Sequence, residues 1–263
     1  LVFCSCGNEE KQPDLKTDAP MQTGEDSIEQ NNNTDINQIQ GDVNIEQNIK
    51  GENYKANDGT VILRATISVP KIVDDNYTAA AEVINAYYQE QQDKHCQYAE
   101  QELYEYAIYA YTNSSGTSST FTTYTAEQFF TIELNSNGYI SIFRTLVESA
   151  EGNYSELSVA SETFETSGGG LVTGAYLYTD ESEANARIID IIIAEIEADE
   201  SGNYYQNAAE LARNAFQPNC FYLTDKGIVY YFQMYELGYE KLGAPEFLVT
   251  YEQVKDIFNL WQI

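Results

Sequence analysis

Read for its alternation of apolar and polar positions, the chain first becomes regular at Val61-Ile62-Leu63-Arg64-Ala65-Thr66-Ile67-Ser68-Val69. This β-branched run ends at Pro70 and predicts a strand. From about Asn76 to Tyr111 neither Pro nor Gly interrupts. Apolar or small residues recur at Ala80, Ile84, Tyr88, Cys96, Ala99, Leu103, Tyr106 and Ala110, a spacing that predicts one long helix or two consecutive ones. The loop Asn113-Ser114-Ser115-Gly116 closes it. Phe121 to Leu134 and Tyr139 to Val147 flank Asn135-Ser136-Asn137-Gly138, whose Asn-Gly step favours a tight hairpin turn. Further strands are predicted at 155–166 and 171–178, around Gly168-Gly169-Gly170. Helices follow at Glu183–Ala198, where Ile188, Ile189, Ile191, Ile192, Ile193 and Ile196 surround a buried stripe, and at Asn203–Phe216. The chain then reads as a hairpin, Cys220 to Leu223 and Ile228 to Phe232 about Asp225-Lys226-Gly227. A strand at Phe247-Leu248-Val249 and a closing helix at Tyr251–Leu260 complete it. Local strand pairing with helices in blocks defines an α+β class, with mainly antiparallel strands, one long N-terminal helix and a C-terminal helix block.

Residues 7–57 break this texture. They hold 11 acidic and 4 Lys side chains and a single aromatic, Tyr54, too little apolar surface to offset the entropy of ordering. The expectation is a disordered acidic stalk, able to hold a domain some ~40 Å from an anchor. The resulting division is 1–6 as the end of a leader, 7–57 as linker, 58–150 as an N-terminal subdomain and 151–263 as a C-terminal one. The opening Leu1-Val2-Phe3-Cys4-Ser5-Cys6 resembles the end of a bacterial lipobox, with small Ser5 before Cys6. That resemblance implies lipidation at Cys6 and an extracytoplasmic protein held to the membrane by lipid. No later stretch nears the roughly 18 apolar residues of a membrane span.

Charge narrows the partners. The 263 residues carry 13 Lys+Arg against 42 Asp+Glu, a formal net charge of −29, which excludes a basic nucleic-acid groove. Of that charge −7 falls on residues 7–57, leaving −22 on 58–263, a field suited to steering a cationic partner. With 22 Tyr and 11 Phe the body is rich enough in aromatics to fold.

Chemistry is sparse. His95 is the only histidine, and it adjoins Cys96 in the predicted helix, where neighbours project about 100° apart and do not face each other. One histidine cannot supply the ligand set of a zinc hydrolase, and no cofactor is implied. Among 42 acids a carboxylate pair for glycan hydrolysis carries no sequence signal. Tyr104 and Tyr109, with Tyr230, Tyr235 and Tyr239, are the candidate ligand-binding aromatics, since tyrosine offers a flat body and a polar tip. Outside the leader, Cys96 and Cys220 remain as either a disulfide or two buried thiols.

The C-terminal run Phe221-Tyr222-Leu223-Thr224-Asp225-Lys226-Gly227-Ile228-Val229-Tyr230-Tyr231-Phe232, with Tyr235-Glu236-Leu237, Gly243-Ala244-Pro245-Glu246-Phe247 and Tyr251, resembles the domain of unknown function 3298. The upstream strand before Pro70 and the helix opening Val83-Ile84-Asn85-Ala86-Tyr87-Tyr88 resemble its partner, the domain of unknown function 4163, a PdaC/RsiV-like extracytoplasmic region. Some members accompany a polysaccharide deacetylase domain; in others the region is the lysozyme-binding sensor of an anti-sigma factor. The resemblance implies ligand binding at the cell surface. The expectation is a non-enzymatic lipoprotein domain binding a cationic protein such as lysozyme. The alternatives are a wall-glycan binding module and a carboxylate-based glycan hydrolase.

Overall fold

The computed structural model describes residues 41–114, 121–150 and 154–261. Five strands make the first sheet in chain order: β1 (Ile45–Lys55), β2 (Val61–Ile72), β3 (Tyr124–Ser136), β4 (Tyr139–Ala150) and β5 (Tyr154–Glu165). All pairings are antiparallel except β2 with β3. A parallel pair needs a long crossover, and the predicted long helix provides it as α1 (Thr78–Tyr98), a π turn at Ala99–Leu103, and α2 (Tyr104–Asn113). The buried positions Ala80, Ile84, Tyr88, Gln92, His95, Ala99, Ala107 and Tyr111 step mostly by four, slightly more than one α-helical turn. On a pure α-helix such a seam would drift off the sheet; the π turn takes up an extra residue and keeps it facing inward.

The second sheet is β6 (Phe221–Leu223), β7 (Gly227–Tyr231) and β8 (Glu246–Thr250), all antiparallel. Every residue of β7 is buried, because both of its faces are covered. Val229 and Tyr231 pack with Val159 and Phe143 of the first sheet. Ile228 and Tyr230 pack the other way, with α4 (Glu181–Ala198) and α5 (Ala208–Ala215), which follow the short α3 (Gly174–Leu177). The layers therefore run helix, sheet, sheet, helix, and the mixed, mainly antiparallel α+β class holds. No described helix is long and apolar enough to cross a membrane.

Several boundaries differ from expectation. The segment assigned to the stalk contains β1, so folded chain begins before residue 58. Val43, Ile45 and Tyr54 are buried there. The composition hid this because β1 joins the sheet chiefly through backbone bonds to β2 while most of its side chains stay polar and partly exposed. The remainder of the expected stalk, residues 7–40, and Cys6 lie outside the described residues. Division at 150/151 falls within the β4–β5 hairpin of one sheet. Pro70 does not end β2, because pairing with β3 stops at Ile67 and the missing N–H costs no bond on that side.

Residues 171–178 are not a strand. Only isolated bridges form there, Leu171 to Phe164 and Tyr178 to Phe258, and between them the chain turns into α3, where the Gly174 N–H donates to Asn219 Oδ1 at 2.8 Å. A side chain at Gly174 would lie 2.4 Å from the Pro218 carbonyl, so only glycine fits that contact. The helix expected from Asn203 starts at Ala208, because Tyr204 bridges to Gly238. The closing helix shortens to α6 (Tyr251–Val254), whose Thr250 and Gln253 form a capping box, as the chain returns to pair Phe258 with Tyr178. Asn137 and Gly138 both take positive φ, as a tight Asn-Gly hairpin requires.

Candidate functional site

Along β4, Ile140, Ile142, Arg144, Leu146 and Glu148 alternate onto the face that the long helix covers. Two of these five are charged, and each has a separate fate. Arg144 is buried and binds Glu162 of β5 with both Nε, at 3.0 Å, and Nη2; its Nη1 donates to Gln128 Oε1 at 3.1 Å. Glu162 also accepts from the Tyr87 and Tyr88 hydroxyls at 2.9 and 3.0 Å. The carboxylate thus receives four hydrogen bonds and is satisfied, which makes the cluster a structural centre, although the buried Gln128 Nε2 at its edge has no partner among the described residues. Burial opposes the Arg144 charge, yet Glu162 beside it holds the guanidinium protonated above its ordinary value.

Glu148 lies further along, where β4 and β5 pass the π turn. It is half-buried, and the Tyr98 hydroxyl donates to it at 3.2 Å. Its direct partner across the ladder is Glu156. Burial, then the charges of Glu156 and Glu102, push the Glu148 carboxyl above its ordinary value against the pull of the Tyr98 bond. Among the described residues no Lys or Arg forms an ion pair with Glu148, Glu156 or Glu102. Here the helix and the sheet leave a cavity of about 380 Å³, walled by Leu63, Tyr98, Leu103, Tyr106 and Tyr124 with Glu148 and Glu156. Aromatic walls around carboxylates without a cation of their own suit a positively charged side chain, held by charge and by the faces of the rings.

The expected tyrosines are placed elsewhere. Tyr230 is in the core, its hydroxyl 2.9 Å from that of Tyr178, and it is not available to a ligand. Tyr104 is half-buried against Tyr54, its hydroxyl donating to the Lys55 carbonyl at 3.4 Å. Tyr109 is exposed on α2, while Tyr235 and Tyr239 are exposed in the β7–β8 connection, Tyr239 edge-on to Tyr205 at 4.8 Å. None of the five lines the acidic cavity. Of the residues that do, Leu63, Leu103 and Tyr106 stand on the periodic pattern, while Tyr98, Glu148 and Glu156 escape a reading of periodicity by itself. The signal was Glu148, a second charge after Arg144 in a mainly apolar alternation.

Cys96 and Cys220 are not joined in a disulfide. They cannot meet, because Cys96 faces Lys50 of β1 whereas Cys220 packs between the two sheets with Val159 and Tyr222. His95 is fully buried. Neither ring nitrogen has a well-formed hydrogen bond, and burial, only weakly opposed by the Ala126 backbone, lowers its pKa to about 4. No group of His, Cys, Asp and Glu among the described residues is arranged to hold a metal ion.

Residues 176–252 match the family described as "Protein of unknown function (DUF3298)", so this domain is present in the chain. The fold is similar to the crystal structure of a DUF3298 family member from Bacteroides fragilis, at 12% identity and a TM-score of 0.62, covering 83% of this chain and 94% of that one. It is also similar to a DUF3298 family protein from Pseudomonas aeruginosa, at 10% identity and a TM-score of 0.55, covering 84% and 97%. At such identities the likeness is one of fold. It extends well beyond 176–252, so the first sheet and its helix belong to the shared architecture. No curated protein matches the chain in sequence.

Proposed function

We propose that this chain is a recognition domain, displayed outside the cytoplasmic membrane on an acylated Cys6, that binds a cationic macromolecule through the Glu148 cavity. The observation that carries the reading is the Glu148–Glu156 pair. Like charges directly opposite in a ladder destabilise a sheet, and a half-buried carboxylate adds a desolvation cost. A Lys or Arg side chain from a partner would relieve both while its apolar stem lay along Leu63, Leu103 and Tyr124. The surrounding charge of −22 on residues 58–263 would speed the approach of such a partner. A basic protein of the lysozyme type satisfies these requirements and agrees with the extracytoplasmic resemblance of the sequence.

Immobilised egg-white lysozyme tests this directly. The chain is expected to bind at low salt, more weakly at physiological salt, and about tenfold more weakly once Glu148→Gln and Glu156→Gln are combined. Absence of any complex at either salt concentration removes lysozyme as the partner; equal binding by the double variant removes the cavity as the site.

One observation favours a second reading. Glu148, raised by burial, beside Glu156 has the form of an acid and carboxylate pair, as a glycan hydrolase requires. Release of reducing ends from purified peptidoglycan, lost in Glu148→Gln, would favour hydrolysis over recognition.

A further inference from the structure

A second cavity, of about 330 Å³, opens along the outer edge of β5 between α1 and the second sheet. Tyr87, Lys94, Ser161, Asn219, Phe221 and Tyr231 are among the residues lining it. β5 is the last strand of its sheet, so alternate residues turn their N–H and C=O groups away from β4. The bonds on that edge show which residues these are. The Val159 N–H donates to Gln233 Oε1 at 3.0 Å, and Gln233 Nε2 donates to the Val159 carbonyl at 2.8 Å. The Val172 N–H donates to the Thr163 carbonyl at 2.8 Å, and the Glu165 N–H donates to the Gly170 carbonyl at 2.9 Å. The outward residues are therefore the odd-numbered ones, and Ser161 is among them.

Ser161 differs from its neighbours. Its hydroxyl is committed to the Phe221 carbonyl and to the Tyr231 hydroxyl, so the side chain is fixed against the second sheet. Its backbone N–H and C=O have no partner among the described residues. An exposed strand edge invites further pairing and is ordinarily blunted. Here the blunting is built on both sides of Ser161, by the Gln233 amide at Val159 and by Val172 at the Thr163 carbonyl; of the outward residues lining the cavity, Val159, Ser161 and Thr163, Ser161 is the one with neither its N–H nor its C=O paired among the described residues.

We propose that this gap receives an extended peptide segment of a partner, which adds a single residue pair to β5 at Ser161. A peptide residue offers an acceptor and a donor on one edge, in the spacing Ser161 presents. An acetamido sugar does not, because its trans amide points the N–H and C=O in opposite directions and reaches only one group of Ser161. Strand alternation fixes the rest. The residue paired with Ser161 turns its side chain toward Phe221 and Tyr231 and should be apolar; its neighbours turn toward the Tyr87 hydroxyl and Lys94 and should be polar. This slot is separate from the Glu148 cavity and stands whether or not that cavity binds a cation.

Amide NMR of the full chain, titrated with N-acetyl-Thr-Val-Thr-amide and with the same peptide N-methylated at valine, tests the slot. The unmodified peptide should shift the Ser161 amide saturably and slow its hydrogen exchange, and the N-methylated one should bind about three- to tenfold more weakly. Ser161→Pro, which removes the outward N–H together with the hydroxyl and is tolerated at an edge, should weaken binding by a similar factor, whereas Ser161→Ala, which removes the hydroxyl alone, should retain it. Equal binding of the two peptides, no saturable change at Ser161 with millimolar peptide, or a shift produced by chitotriose in place of the peptide would each overturn the proposal.

Discussion

Glu148 and Glu156 are direct partners across the β4–β5 ladder, on the face of the sheet that the long helix covers. Their Cα atoms lie roughly 5.5 Å apart in such a pair, and neither carboxylate has a cation of its own among the described residues. Stability is therefore sacrificed at this position. Glu148→Gln is expected to stabilise the chain at neutral pH by about 0.2–1 kcal/mol, read from the denaturant midpoint.

The same carboxyl predicts a pH dependence. Its native pKa lies above the ordinary value, so just above that value the folded state binds more protons than the unfolded one, and stability falls as pH rises through the window. The advantage of Glu148→Gln over the parent should be full at neutral pH and shrink as the pH approaches about 4. An advantage constant across that range would mean that Glu148 is not strained in the folded state.

His95 acts with the opposite sign. It is buried neutral, with its pKa lowered from 6.5 to about 4. Its contribution is fully present above the unfolded value and is lost as pH falls toward the folded one, a difference of roughly 3 kcal/mol. His95→Leu should flatten the stability profile between those two values, and it should not lower stability at neutral pH, since neither ring nitrogen makes a well-formed bond. A profile for His95→Leu that superimposes on the parent's would show that the imidazole is protonated at no cost.

Glu162→Gln should be costly. Arg144 would keep its charge in a buried site without the carboxylate that compensates it, and two tyrosine hydroxyls would lose a charged acceptor. Loss of about 3–5 kcal/mol is expected in chemical denaturation. A change below about 1 kcal/mol would mean that the guanidinium reaches water.

Much of this fold is legible in the sequence because period and turn chemistry agree. The uninterrupted stretch from Asn76 to Tyr111, the Asn137-Gly138 turn and the isoleucines of α4 each point to the element that forms. What was hidden depends on tertiary partners. β1 reads as linker because backbone pairing with β2, and not side-chain burial, holds most of it. The strand expected at 171–178 yields to α3, whose start is fixed by Asn219 and Pro218, more than forty residues away. The site was half legible: Tyr106 stands on the helical repeat, but Glu148 meets Glu156 and Tyr98 only through register and the π turn, which no local pattern announces.

The most direct measurement is the pKa of Glu148 itself, followed by carboxyl-carbon NMR on the full chain with and without saturating arginine amide. If the cavity takes a cationic side chain, the pKa starts above the ordinary glutamate value and drops below it when the cation binds, with the resonances of Tyr98 and Tyr124 shifting in step. A Glu148 pKa that begins at the ordinary value, or that stays unmoved while arginine amide binds elsewhere, would contradict the account.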